Sequence, residues 1–372
     1  MLTIRTALVL TACLALTSCG TTYVAQAAKG QLQILTARKP IKKVLADPAA
    51  DAGLKQRLEV VSEARAFASR ELGLPNNKSY TSYADLKRDF VVWSVVATPE
   101  FSVVPREWCF PIVGCVAYRG YFRKDSAEAF AETLRSEGLD TMVGGVPAYS
   151  TLGKFNDPIL NTMMIYGDDE LASIMFHELS HQLVYIQDDT SFNEAFAVTV
   201  EQEGLARWLK FRGREADLAK YQKRRTRQAE GVGLVAKFRA ELSKLYGMNL
   251  EPEVMRARKA QVFARLVSEL HTLDERFGTE SRLAAELEGK PNNARLASLA
   301  TYYDCVPGFE RLLAGEQHDL PRFYAAAREL AKLPREERRS RLCSGSSGSP
   351  ALQSGAHVRL NEVQVLPAPT EG

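Results

Sequence analysis

The segment His177-Glu178-Leu179-Ser180-His181 constrains this chain more than any other. Two histidines four residues apart on an α-helix are separated by about 400° of rotation, so both imidazoles lie on one face and can share a metal ion. Glu178 projects to one side of them, placed to take a proton from water at that metal. Ile174, Met175, Leu179 and Leu183 supply apolar positions to pack the helix. It is predicted to open at Asp168-Asp169-Glu170, where acidic side chains suit the positive helix end, and to run to Ile186. A metal that keeps one position open for water takes three protein ligands, as zinc does at catalytic sites. The fold must therefore bring a third donor from another element to this face.

The rest of the composition excludes several alternatives. Lys and Arg number 48 against 45 Asp and Glu, a net charge of +3, which lacks the basic excess of a dedicated nucleic-acid binder. With 45% hydrophobic residues the chain has enough apolar surface to fold. A mean hydropathy of −0.20, with no second long apolar run after the N-terminus, argues against a multispan membrane protein. Residues 1–18 have the layout of a signal peptide, with Arg5 before an apolar run from Ala7 to Leu16 that falls short of the ~20 residues a membrane span needs. Leu16-Thr17-Ser18-Cys19 resembles a bacterial lipobox, which implies lipidation of Cys19; an ordinary signal peptide is the alternative. Gly20 in place of Asp after that cysteine resembles Gram-negative lipoproteins of the outer membrane, facing the periplasm. In that oxidising compartment Cys109, Cys115, Cys305 and Cys343 are expected in disulfides, with three pairings possible. Pro111 and Gly114 can turn the chain to close Cys109 on Cys115, leaving Cys305 for Cys343; free thiols or a cysteine zinc site are the alternatives.

Residues 19–46, which carry a basic patch, read as an anchor and linker, 47–342 as the folded body and 343–372 as a Ser-, Gly- and Pro-rich disordered tail. Helical periodicity covers residues 47–72. β-Branched and aromatic runs at 90–96, 103–104 and 116–122, and a further run at 141–146, read as strands, with a helix at 126–136 between them. Beyond Asp168 the chain reads as helical, through segments at 192–211, 214–246, 251–276, 292–300 and 320–332. Nine Lys and Arg between Arg207 and Arg227 fit a solvated helix face, or contact with an anionic envelope surface.

Asn193-Glu194-Ala195-Phe196-Ala197, thirteen residues after His181, resembles the element that supplies the third zinc ligand in glutamate-zincin metallopeptidases. The resemblance makes Glu194 the third ligand of a Zn²⁺ held by His177 and His181, with Glu178 as general base. Glu201, about two turns along the same face, would replace Glu194 or orient a histidine from behind. Trp93–Phe101, Trp108–Pro111, Gly114–Phe122, Gly144–Gly153 and Thr301–Glu310 extend the likeness to a proteobacterial family of predicted aminopeptidases over roughly residues 22–342. That family implies an α+β fold: a mostly helical zincin-like core with a small, mainly antiparallel sheet before the metal-binding helix. It implies zinc-dependent hydrolysis of a peptide or protein substrate. Related zincins stabilise the oxyanion with a tyrosine; Tyr302 is the candidate, then Tyr149. The Gly-x-Met-Glu-Asn element that holds a free amine in membrane-alanyl-type aminopeptidases is absent, which leaves endopeptidase or other amide hydrolase action open. A non-catalytic envelope-binding lipoprotein with a structural zinc is the reading from another class. His271, His318 and His357 read as surface or satisfied residues.

Overall fold

A computed structural model describes residues 23–110, 114–148, 150–187, 189–279, 282–303 and 305–343. The expected signal peptide, Cys19 and the tail beyond 343 lie outside the described residues. The fold is α+β and mostly helical, as expected.

The strands form three small sheets among the described residues. β3 (Val92–Pro99) is the centre of an antiparallel sheet, flanked by β6 (Arg119–Tyr121) and β7 (Leu139–Val146), with Val95 opposite Val143 and Ser94 opposite Gly120. Its side chains alternate as a strand requires. Val95 and Ala97 pack on Ala127, Ala131 and Leu134 of α4 (Lys124–Ser136), while Val92 and Val96 enter the main core. β4 (Trp108–Phe110) pairs with β5 (Gly114–Val116). The third sheet is mixed: β2 (Ser82–Ala84) runs antiparallel to β1 (Arg38–Pro40) and parallel to β8 (Ile159–Leu160).

Three local readings differ from expectation. Within the expected anchor and linker, residues 23–46 form helix α1 (residues 23–37), β1 and α2 (Ile41–Ala46), with Ile34, Ile41 and Val44 buried in the main core. Val103-Val104 is a bend instead of a strand, as Val103 packs into a separate helical core. The metal-motif helix, α5 (Asp168–Ser180), stops before Ile186.

Helix α3 (Ala52–Arg70) packs on α5, and Arg57 braces the entry to that helix: its guanidinium donates to the carbonyls of Met164 and Tyr166 and to Asp168. α5 packs along α6 (Thr190–Phe211), and both are buried on nearly every face because α3, α10 (Asn293–Tyr303) and α11 (Val306–Gly315) surround them. α7 (Glu215–Tyr246) and α8 (Pro252–Phe277) form a long hairpin with its own core, built on Phe238, Leu242, Phe263 and Leu266. Most of the basic residues between Arg207 and Arg227 have partners: Arg214 bonds Asp169, Arg224 bonds Glu170, Arg225 bonds Glu310, and Arg227 is buried against Asp274. The acids that open α5 therefore serve both its dipole and these cations.

The chain ahead of Glu194 is clamped from two sides. Asp189, 2% exposed, caps α6 by accepting from the Phe192 amide and also accepts from the Arg338 guanidinium at 2.7–2.8 Å. Arg338 lies on α13 (Arg335–Leu342), whose end is joined to the start of α11 by the Cys305–Cys343 disulfide. Gly308 lets those two helices touch, since a Cβ there would meet the Leu342 carbonyl oxygen at 2.0 Å. Arg338→Met leaves the Asp189 charge buried without its partner. The expected loss is about 3–5 kcal/mol of unfolding free energy, measured by denaturant titration of the disulfide-intact protein.

Candidate metal centre

The site is built from the residues of the α5–α6 pair. His177 lies in the last turn of α5, and His181 is its C-cap with φ −64° and ψ −17°, so the helical four-residue spacing survives the end of the helix. Ser180 contributes to that end by donating its hydroxyl to the His177 carbonyl. The chain then turns and re-enters α6, where Glu194 sits in the first turns and Glu201 two turns on. Asn193 holds the connection: its carboxamide accepts from the Ile186 amide at 2.8 Å and donates to the Ile186 carbonyl at 2.7 Å.

The donor atoms converge. His177 Nε2 lies 3.2 Å from His181 Nε2 and 3.3 Å from Glu194 Oε2, and His181 Nε2 lies 3.8 Å from Glu194 Oε1. Donors bonded at about 2.0–2.1 Å to one tetrahedral ion stand about 3.3 Å apart. All three residues are buried, and among the described residues this is the one group of His, Cys, Asp or Glu arranged to hold a metal ion. Glu178 is buried beside the first of them, 1% exposed.

Glu201 takes a different position. Its Oε2 lies 2.9 Å from His177 Nδ1, on the far side of the ring from the donor cluster, while Oε1 accepts from Ser173 Oγ at 2.7 Å. A carboxylate at Nδ1 keeps a proton on that nitrogen, so Nε2 is the nitrogen that offers a lone pair once its own proton is displaced. Of the two roles expected for Glu201, the geometry matches orientation of a histidine. Ser173 was not anticipated from sequence, although its place four residues before His177, on the same helix face, is the signal that could have found it.

Electrostatics explains the arrangement's cost and its purpose. Burial acts to lower the His177 pKa, but hydrogen bonds and charge from Glu194 and Glu201 outweigh it and raise the pKa to about 9. The two carboxylates thus favour positive charge at His177. A folded pKa above the ordinary value of about 6.5 stabilises the metal-free protein below pH ~6.5, and that contribution is lost as pH rises through ~9.

The remaining expected residues are placed as follows. Tyr302 falls on α10, but its side chain, like Tyr149, lies outside the described residues. Cys109 stands opposite Cys115 in the β4–β5 register and is disulfide-bonded; the Cys115 side chain lies outside the described residues. His271 is exposed, and His318 is exposed with its Nδ1 3.1 Å from Glu203; His357 lies outside the described residues.

A family model described as "Putative aminopeptidase" matches residues 22–342. No curated protein matches the chain, and no solved structure does.

Two outcomes follow from the site. Metal binding at neutral pH must displace the His177 proton, so calorimetry in buffers of different ionisation enthalpy should read release of about one proton at pH 7, falling towards zero above pH ~9. Glu201→Gln should weaken metal affinity by about 10–100-fold in a chelator competition, with the ion still bound at saturation.

Proposed function

The chain belongs to the family described as "Putative aminopeptidase", and from that membership we propose that it is a zinc-dependent peptidase. The observation that carries this reading is the buried convergence of His177, His181 and Glu194, with Glu178 buried next to His177 in the chain. Two imidazole nitrogens and one carboxylate oxygen form a donor set that suits zinc. A purely structural zinc would close with a fourth protein ligand. No fourth His, Cys, Asp or Glu joins the group among the described residues, and Glu201 engages the other nitrogen of His177. That favours a catalytic over a structural site.

His177, His181 and Glu194 would hold the zinc, which would supply Lewis acidity towards a scissile carbonyl and acidify the attacking water. Glu178 accepts the proton of the attacking water and passes it to the leaving amine nitrogen. His177 is held in one tautomer by Glu201, and Ser173 fixes Glu201 in turn. Burial of all these groups keeps the charge on Glu178 and Glu194 effective, because little water is present to screen it. The resemblance assigns stabilisation of the oxyanion to Tyr302 or Tyr149. Lipidation at Cys19 would place this activity at the inner face of the outer membrane, on peptides of the envelope.

Glu178→Gln should retain metal at the wild-type stoichiometry and lose about 10²–10⁴-fold in kcat. Glu194→Gln should lose the metal itself. Wild-type protein purified without metal, and unable to take up zinc, would sink the assignment. Peptides with free and with blocked amino termini then separate exopeptidase from endopeptidase action: hydrolysis of the blocked series at equal kcat/KM contradicts the aminopeptidase name.

A further inference from the structure

Helix α1 has two unlike faces. One is fixed to the body: Gln26 donates to the Gly120 carbonyl at 3.2 Å and accepts from the Phe122 amide at 3.1 Å, so its carboxamide pairs with the outer edge of β6. Tyr23 accepts from the Gly120 amide, with the Arg119 guanidinium 4.4 Å from its ring centre. Gly30 permits close approach to the Phe122 ring, which a Cβ would meet at 2.2 Å, and Ile34 is buried. The other face carries Val24, Ala28 and Leu32 at four-residue spacing, all exposed, with Val24 57% and Leu32 59% accessible.

We propose that this open face of α1 lies on an anionic phospholipid bilayer, with Val24, Ala28 and Leu32 seated among the headgroups. Two features identify that occupant. Cys19 precedes Tyr23 by four residues, a reach of at most about 14 Å, so acyl chains on that cysteine bring the bilayer to the start of a helix already docked on the sheet. Residues 20–46 contain five Lys and Arg and no Asp or Glu, and Lys29, Lys39, Lys42 and Lys43 are exposed. An exposed apolar stripe in a segment whose only charges are positive is the pattern of a helix lying in the interface plane, the cations reaching the phosphates. The enzyme body is then held in one stance on the membrane. The proposal rests on the lipid at Cys19 and is independent of the peptidase reading.

The test uses the lipidated full chain in vesicles of phosphatidylethanolamine and phosphatidylglycerol, with a fluorophore on Ala28→Cys or, as a second site, Ala25→Cys. Reconstitution should raise quenching by spin-labelled lipid several-fold and lower quenching by aqueous iodide. Val24→Glu combined with Leu32→Glu should reverse both effects, while the protein still pellets with the vesicles and melts as before. Unchanged iodide access in lipidated protein overturns the proposal. Shielding from iodide without quenching by lipid also overturns it, because a second copy or another protein then covers the stripe. An N-terminal peptide without the diacylglyceryl mass removes the anchor and this proposal together, and leaves the peptidase reading standing.

Discussion

The structure depends on one electrostatic requirement: the Glu194 carboxylate, 3% exposed, must be neutralised where it lies between two imidazoles. An isolated carboxylate at such depth costs several kcal/mol even after relaxation. A proton on His177 is favoured by the adjacent Glu194 and Glu201 carboxylates, which raise its pKa. A divalent cation meets the requirement more completely and with the donor spacing already present. On the proposed reading, a metal ion would take the place of that proton in a cluster whose donor atoms already converge.

Such a cluster functions only if two helices keep their relative positions to a few tenths of an ångström. The protein secures this by fastening the short connection between them. Asn193 brackets the Ile186 peptide, Asp189 caps α6, and Arg338 reaches Asp189 from α13, which the Cys305–Cys343 bond ties to α11. At the other end, Arg57 gathers the residues that enter α5. The helices are also packed on nearly all sides, so the ligands project from rigid elements and not from loops.

The parts of this arrangement legible in the sequence are those encoded by local spacing. The four-residue interval of His177 and His181 predicted a shared face, and the two-turn interval from Glu194 to Glu201 predicted that both carboxylates point the same way. The alternation in β3 and the apolar period of α3 were equally local signals. What escaped has a common cause in pairing across long sequence distance. Arg338 and Asp189 are 149 residues apart, and neither announces its partner. The end of α5 at Ser180 is marked by no Gly or Pro that sequence reading recognises. Residues 23–46 read as a linker because they carry a basic patch and follow the expected anchor cysteine; Ile34, Ile41 and Val44 nevertheless join the core once other elements cover them. Val103-Val104 has strand-like composition, but Val103 is drawn into the α7–α8 core.

X-ray absorption at the zinc edge of the purified protein reads most directly which atoms would hold the metal. The expected spectrum has a first shell of nitrogen and oxygen only, at about 2.0–2.1 Å, with the multiple-scattering pattern of two imidazoles, and the zinc signal is lost in His181→Ala. Sulfur in the first shell at about 2.3 Å, or a spectrum unchanged by His181→Ala, would contradict it.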